Sequence, residues 1–357
     1  MHYIISIVGL LLVLFLAWLA SNNKKKIKYR PIIVMIVIQL VLGFLLLKTG
    51  IGGEFLIKGF ADSFAKLLEY ANEGTNFVFG GMANEGAHTF FLYVLMPIVF
   101  MSAIIGILQH YKILPFMIKY IGFVLSKING MGKLESYNAV AAAIVGQNEV
   151  FISVKNQIGF LPKHRLYTLC ASAMSTVSMS IVGSYMTMLE PKYVVAALIL
   201  NLFGGFIVAS IINPYEVQAE EDIIEVQEGE KQTFFEMLGE YIMDGFKVAI
   251  IVGGYVSRLC WVNCLINGVF NGIFGITFQG FLGYVFAPPI AFVMGVPWHE
   301  AVNAGSIMAT KLVANEFVAM LDFVKIQDSF SERTAAIVSV FLISFANFGS
   351  IGTIVGA

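Results

Sequence analysis

Residues 143–158 read AIVGQNEVFISVKNQI, an apolar segment interrupted by Gly146, Gln147, Asn148 and Glu149. Such a group is unusual in a hydrophobic chain, because polar backbone groups and carboxylates inside a bilayer must be satisfied by protein or by a water-filled cavity. The interruption therefore predicts the tip of a re-entrant helical hairpin that faces a site. It argues against a helix whose whole surface contacts lipid.

A second stretch has the same character. Residues 310–323 read TKLVANEFVAMLDF, in which Asn315 and Glu316 lie between apolar flanks. Each of the two stretches precedes a long apolar span with a small, polar interruption: STVSMSIVGS at residues 175–184 and SFANFGS at residues 344–350. Two units of hairpin and broken helix in corresponding halves of a chain are typical of a secondary transporter with internal repeats.

The composition assigns the chain to the membrane. Its 357 residues are 58% hydrophobic and 13% charged, and the mean hydropathy is +0.82, which excludes an ordinary soluble protein and a disordered one. The formal net charge of −1 gives no sign of a nucleic-acid surface, and the five His show no metal-ligand spacing with carboxylates. We therefore predict an all-α polytopic protein of the inner (plasma) membrane, in contact with the lipid bilayer, without a cofactor, a certain metal site or a nucleic-acid partner.

Basic residues indicate which side of the membrane the loops face. The strongest basic cluster follows the first apolar stretch, and a second group follows the first predicted hairpin. The positive-inside rule makes both cytoplasmic, so the N-terminus lies outside. Because the charges follow the first apolar stretch and do not precede it, a cleaved signal peptide is disfavoured. The two groups are Lys24, Lys25, Lys26, Lys28 and Arg30, and Lys163, His164 and Arg165.

The patterning divides the chain into six segments. Amphipathic spacing in residues 54–69 and 234–244 predicts helices in the membrane interface, although packing on the protein's own surface would give the same pattern. The segments are an N-terminal transmembrane pair (1–48), interfacial helices and a scaffold span (49–134), the first hairpin with broken spans (135–213), a solvated acidic loop between the repeats (214–232), an interfacial helix and a scaffold span (233–296), and the second hairpin with a broken span (297–357).

Three motifs resemble those of the concentrative nucleoside transporter family. Residues 146–149, GQNE, resemble its first-hairpin motif Gly-Gln-[Ser/Thr]-Glu. Residues 310–319, TKLVANEFVA, resemble the second-hairpin motif Thr-Lys-x-x-x-Asn-Glu-Phe-Val-Ala. Residues 345–350, FANFGS, resemble Phe-Ala-Asn-Phe-[Gly/Ser]-Ser. The motifs occur in the family's order, and the resemblance covers nearly the whole chain.

The resemblance implies a homotrimer of eight-span protomers with two re-entrant hairpins, which moves a nucleoside by an elevator-like shift of its transport domain. An amide and a carboxylate can match the donors and acceptors of a base edge, and buried partners left unpaired reject the wrong ligand by several kcal/mol. The implied substrate-binding residues are Gln147, Asn148, Glu149 and Ile181 for the nucleobase, and Glu316, Asn347 and Ser350 for the ribose hydroxyls.

The sequence departs from the family at the sodium site. Sodium-coupled members have an Asn that binds sodium four residues before the hairpin Gly, and this chain has Ala142 there, which offers no side-chain oxygen. The hydroxyl of Thr176 and the carbonyls of Val145 and Val177 remain as implied ligands. A hard cation requires several oxygens, so the loss of one favours proton coupling, while sodium coupling stays open.

Two further departures bear on the substrate and on the length of the chain. In the proton-coupled case Glu149 or Glu316 would carry the proton, because desolvation favours the neutral acid. Asn148 stands where the family has a hydroxyl residue, which leaves open whether purine or pyrimidine nucleosides are preferred. The family also has a span beyond the last motif, and we expect that span to be missing from the given sequence.

Other energy sources, substrates and classes of function are the alternatives to an ion-driven nucleoside symporter. The chain has no phosphate-cradling P-loop, so an ion gradient is the expected energy source. Another small polar solute, such as a nucleobase or a sugar, is the alternative substrate. An intramembrane enzyme would use Glu149 and Glu316 as an acid/base pair, but no nucleophile–His arrangement supports it. A receptor or channel is a third class.

The same residues also have structural interpretations. Glu149 or Glu316 could be paired with Lys155 or Lys311, and Asn315 could cap a broken helix end without touching a ligand. Polar packing between membrane helices is the alternative for Asn347, Ser350 and Thr176.

Overall fold

The computed structural model describes residues 2–48, 57–80, 89–146, 150, 161–217, 232–347 and 350. In these ranges every regular element is a helix and no strand occurs, which confirms the predicted all-α architecture. The α-helices are α1 His2–Leu19, α2 Tyr29–Lys48, α3 Lys58–Phe79, α4 Met96–His110, α5 Ile113–Asn129, α6 Lys133–Ile144, α7 Lys163–Met174, α8 Met179–Met186, α9 Pro191–Ile212, α10 Phe234–Phe274, α11 Phe278–Phe286, α12 Trp298–Val313, α13 Glu316–Ile326 and α14 Glu332–Leu342.

Several helices are long and apolar enough to cross a bilayer. They are Tyr29–Leu47, Phe91–His110 (α4 with the π-helical turn before it), Lys163–Met186 and Pro191–Ile212, and α10 and α11 add a pair bent by 81°. The outer faces carry large exposed apolar side chains such as Leu40 and Phe44 of α2, which lipid would cover. The prediction of a polytopic membrane protein is confirmed.

Helix contacts repeat between the two halves. α4 of the first half packs against α10 of the second. α5 packs against α6, and α11 packs against α12 in the same way. α6 then contacts α7, and α12 contacts α14. This correspondence is what an internal repeat predicts.

The two largest buried apolar clusters form most of the core. The first joins side chains of α2, α5, α6, α7 and α9, among them Met35, Leu169 and Phe206. The second joins α4, α8, α12, α13 and α14, among them Tyr185 and Phe317. The hairpin of the second half therefore packs around α8, the second part of the first broken span.

The second half differs from the expected arrangement at α10. An interfacial helix and a separate span were predicted, but α10 is one continuous helix of 41 residues. A capping box formed by Thr233 and Glu236 begins it, and Gly275, with φ of 70°, ends it. Within this helix Gly245 allows close packing on α4, because a Cβ there would lie 2.8 Å from the Cα of Val99.

A buried ion pair joins the two helices that flank the predicted first hairpin. Arg165 donates from Nε to Oε1 of Glu135 (2.6 Å) and from Nη2 to Oε2 (2.9 Å), and Tyr215 Oη donates to the same carboxylate (2.9 Å). Glu135 is 0% exposed and Arg165 2% exposed. Arg165 was predicted to mark the cytoplasmic side of the membrane; its side chain points inward and joins the first turn of α7 to that of α6.

An acid in the equivalent position holds the base of the second unit. Glu300 is the third residue of α12, as Glu135 is the third residue of α6. Its carboxylate accepts from the backbone N (3.0 Å) and Oγ (2.9 Å) of Ser331, the N-cap of α14. In both halves an acid in the first turn before the break therefore fixes the start of the following broken span.

Asn315 ends the break between α12 and α13. Its backbone is extended, and its Oδ1 accepts from the backbone N of Val318 at 2.9 Å, so it is the N-cap of α13. α12 and α13 pack against each other, as the two arms of a hairpin do. The capping role considered for Asn315 is therefore present in the structure.

The Glu135–Arg165 pair gives a stability prediction. Removing one partner of a buried ion pair costs about 3–5 kcal/mol, because the other charge stays buried without compensation. We expect Glu135→Ala to lower the thermal unfolding temperature of the purified protein strongly. The control is Glu190→Ala, which removes an exposed pair with Lys192 and should cost less than about 1 kcal/mol. Similar stability of the two variants would contradict this role.

The cap at Asn315 gives a second prediction. Replacing an Asn N-cap by Ala costs about 0.5–2 kcal/mol, while Ser caps nearly as well. Asn315→Ala should therefore lower the unfolding temperature, and Asn315→Ser should restore most of it. If Ser destabilises the protein as much as Ala does, the amide serves something other than the cap.

Candidate functional site

The candidate site is centred on a buried carboxylate at the start of α13. Glu316 is 6% exposed. Its Oε1 accepts from Tyr185 Oη at 3.1 Å, and its Oε2 accepts from Asn347 Nδ2 at 3.0 Å. The donors come from α8 and from the segment after α14, so three separate elements converge on one carboxylate.

Asn347 links this carboxylate to Ser350. Its Oδ1 accepts from the backbone N of Ser350 at 2.8 Å, while its Nδ2 donates to Glu316. The structure therefore brings together Glu316, Asn347 and Ser350, which the family resemblance implied as one group. They are connected in that order by two hydrogen bonds.

The breaks of the two broken spans meet beside this group. Phe345 N donates to the carbonyl of Thr176 at 3.3 Å. Asn201 of α9 donates from its side chain to the carbonyl of Ile343. Each break leaves backbone groups without helical partners, and part of this requirement is met by the other break and by α9.

The implied ion ligands lie around the first break. Thr176 and Val177 are buried between α7 and α8, and Val145 follows the last residue of α6. Thr176 Oγ1 has no hydrogen-bond partner among the described residues. Ala142 is also buried, so the replaced ligand position lies in the protein interior.

The nucleobase part of the prediction is only partly covered by the structure. Gln147, Asn148 and Glu149 lie outside the described residues. Ile181 lies buried on α8, within the same apolar cluster as Phe317. Gly146, just before the motif, has φ of 123°, a conformation that side-chain-bearing residues rarely adopt, so α6 does not continue through it.

Sequence reasoning missed Tyr185. Its side chain is 0% exposed, and its ring centroid lies 5.1 Å from that of Phe317. A signal was present, because Tyr185 follows Ile181 by one helical turn and so lies on the same face of α8. A tyrosine hydroxyl buried in an apolar helix needs a hydrogen-bond partner, and the sequence alone did not indicate which one.

Lys311 has a different partner from the one considered. Its Nζ donates to Ser344 Oγ at 2.6 Å and lies 5.0 Å from the ring centroid of Phe341. The ion pairs formed among the described residues do not include one between Lys311 and Glu316. The structural alternative for Glu316 is therefore wrong in this form, and Lys311 instead holds the break that contains Asn347.

This arrangement suits binding of hydroxyl groups. An ionised carboxylate accepts about four hydrogen bonds, and the two donors among the described side chains leave capacity on each oxygen of Glu316. No group of three or more His, Cys, Asp or Glu in the described ranges could hold a metal ion. The site is therefore equipped to recognise a small polar molecule that donates hydrogen bonds.

Family models match the chain from residue 8 to its last residue. The model described as "Na+ dependent nucleoside transporter N-terminus" matches residues 8–82, and "Nucleoside recognition" matches residues 91–192. "Na+ dependent nucleoside transporter C-terminus" matches residues 193–357. Both hairpin motifs and both broken spans lie within the last two matches.

Individual relatives agree with these models. The chain is 36% identical to the purine nucleoside transport protein NupG of Bacillus subtilis, over 100% of this chain and 90% of that protein. It is 30% identical to the nucleoside permease NupC of Helicobacter pylori, over 98% and 88%.

Solved structures of the transporter CNTnw share the fold. An inward-facing, substrate-bound state of CNTnw superposes with a TM-score of 0.91 at 31% identity, covering 100% of this chain and 89% of that one. A variant of CNTnw in an outward-facing state superposes with a TM-score of 0.94 at 31% identity and the same coverage. On the motifs, the fold and these relatives together, the chain belongs to the concentrative nucleoside transporter family and is a membrane transporter, not an enzyme.

Proposed function

We propose that this protein is a symporter that imports nucleosides into the cell, and that a proton gradient drives it. The observation that carries the proposal is the buried Glu316 carboxylate, held by Tyr185 and Asn347 within the second broken unit. Cation-coupled nucleoside transport agrees with the family; the coupling ion and the assignment of individual residues are the proposal.

The ribose hydroxyls bind Glu316, Asn347 and Ser350. Glu316 keeps acceptor capacity on both oxygens, and hydrogen bonds to a charged group in a desolvated site contribute about 1.5–3 kcal/mol each. A ligand without these hydroxyls would leave the buried carboxylate short of donors, which gives the site its selectivity. Gln147, Asn148, Glu149 and Ile181 bind the nucleobase in the same proposal.

Two buried residues bear on the identity of the coupling ion. Ala142 is buried and offers no side-chain oxygen, which favours a proton carried by Glu149 or Glu316. The Thr176 hydroxyl, buried without a partner among the described residues, favours the alternative in which it binds sodium together with the carbonyls of Val145 and Val177. A hard cation would supply the partner that this oxygen lacks.

The proposed setting is the inner (plasma) membrane, with the protein assembled as a homotrimer. The exposed apolar faces of α1 and α2 are suited to lipid. The proposed movement is an elevator-like shift that carries the two hairpins and broken spans past α4 and α10, which pack against each other.

Ion gradients imposed on proteoliposomes test the coupling. We expect radiolabelled adenosine or uridine to accumulate when a proton gradient is imposed without sodium, because Ala142 removes a sodium ligand. Accumulation driven only by a sodium gradient would contradict proton coupling and assign the ion to Thr176 and the backbone carbonyls. Equilibration without accumulation under both gradients would contradict symport.

Glu316→Gln tests the ribose site. The amide keeps the size of the side chain but replaces one acceptor oxygen with a donor that faces Tyr185 or Asn347. One mismatched hydrogen bond within the protein, together with the acceptor oxygen and the charge lost to the substrate, should lower nucleoside uptake by roughly 100-fold. Unfolding temperature should stay close to that of the unchanged protein, and Glu190→Gln, on the exposed surface, is the matched control. Normal uptake by the Glu316 variant would remove this carboxylate from the site.

A further inference from the structure

We propose that Tyr185 is a positioning residue for ribose selectivity: its phenol fixes the orientation of the Glu316 carboxylate and so determines which hydroxyl groups the site accepts. This inference rests on the proposed function, because it assumes that Glu316 binds ribose. The phenol itself need not touch the substrate.

Burying the Tyr185 hydroxyl costs free energy unless it forms a hydrogen bond. The Tyr185 side chain is 0% exposed, and its Oη donates to Glu316 Oε1 at 3.1 Å. A phenylalanine would fill the same apolar space without the cost of desolvating a hydroxyl group. The hydroxyl is therefore stabilised by Glu316, and in return its hydrogen bond constrains the Glu316 carboxylate.

Packing contacts hold the Tyr185 side chain rigidly. The ring of Tyr185 packs against Phe317, with 5.1 Å between centroids and 55° between planes. The preceding residue, Ser184, donates to the backbone carbonyl of Val94 before α4. The phenol therefore lies on a short helix that these two contacts fix, and it can hold the carboxylate in one direction.

The Glu316 carboxylate has a limited number of acceptor positions. A carboxylate offers about two positions on each oxygen. Among the side chains that the structure describes, Tyr185 donates to Oε1 and Asn347 donates to Oε2. A position on each oxygen that no described side chain occupies suits the two neighbouring hydroxyls of a ribose.

Removing the phenol should alter this pattern. The terminal torsion of a Glu side chain is broad, so the carboxylate would turn about the single remaining bond from Asn347. Both positions on Oε1 would then be free but without a fixed direction. A ligand with two hydroxyls would lose more binding than a ligand with one, because only the former needs both oxygens oriented.

The test compares adenosine with its 3′-deoxy analogue in Tyr185→Phe. We expect the KM for adenosine to rise by roughly 10-fold, as for the loss of a hydrogen bond to a charged group. The KM for the 3′-deoxy analogue should change by less than about 3-fold and the maximal rate by less than about 2-fold. The ratio of the KM for the 3′-deoxy analogue to the KM for adenosine therefore falls. Tyr137→Phe, at another buried tyrosine, should leave both values unchanged.

A binding experiment separates positioning from packing. Adenosine affinity is measured by calorimetry on purified protein. In the variant that carries Glu316→Gln, adding Tyr185→Phe should cause no further change in this affinity. The phenol then has no carboxylate to orient, so the two substitutions are not additive. This measurement needs no transport, and it reports the coupling between the two side chains directly.

The outcomes that overturn the proposal are distinct from failure of the proposed function. An unchanged KM ratio in Tyr185→Phe, or additive losses in the double variant, would show that the hydroxyl does not act through Glu316. Equal losses for both substrates together with a lowered unfolding temperature would assign Tyr185 a packing role only. If the unchanged protein transports no nucleoside, the proposed function itself fails.

Discussion

The constraint on which this structure depends is the absence of water inside a bilayer. A helix that breaks there leaves backbone donors and acceptors that protein groups must satisfy. In the second unit Asn315 caps α13, and Asn347 accepts from the backbone of Ser350. Phe345 N donates to the carbonyl of Thr176. Satisfying the breaks therefore brings polar side chains from both halves to one place, and the candidate site is a consequence of that requirement.

The bases of the two units are fixed differently from their tips. Glu135 and Glu300, each in the first turn of the helix before the break, hold the start of the broken span that follows. The first does so with a bidentate Arg165 and the second with a Ser331 cap. These contacts lie outside the candidate site. The residues that hold the two bases are therefore separate from those that we propose to bind the ligand.

How much of this could be predicted depended on how local the signal was. Glu316, Asn347 and Ser350 were placed in one group because the short motifs that contain them resemble those of the transporter family, and the structure joins them. Tyr185 was missed, because its partner comes from another helix and no spacing rule links the two. The inward direction of Arg165 was missed for the same reason. The continuity of α10 was missed because its first part is amphipathic and its second part is apolar, a change of pattern that predicts two separate elements. The base-binding part, at Gln147, Asn148 and Glu149, remains a prediction.

Buried charge sets a further condition on the function. In the first half Glu135 is balanced by Arg165 within one ion pair. In the second half Lys311 and Glu316 are both buried, and each holds the segment between Ile343 and Asn347, one through Ser344 and the other through Asn347. Their opposite charges offset each other without direct contact, which lowers the cost of keeping ionised groups in a low-dielectric interior. Because both are tied to the same break, a displacement of that segment would change the surroundings of the Lys311 ammonium and of the Glu316 carboxylate together. In the proposed transport cycle, selectivity and movement therefore depend on the same few hydrogen bonds.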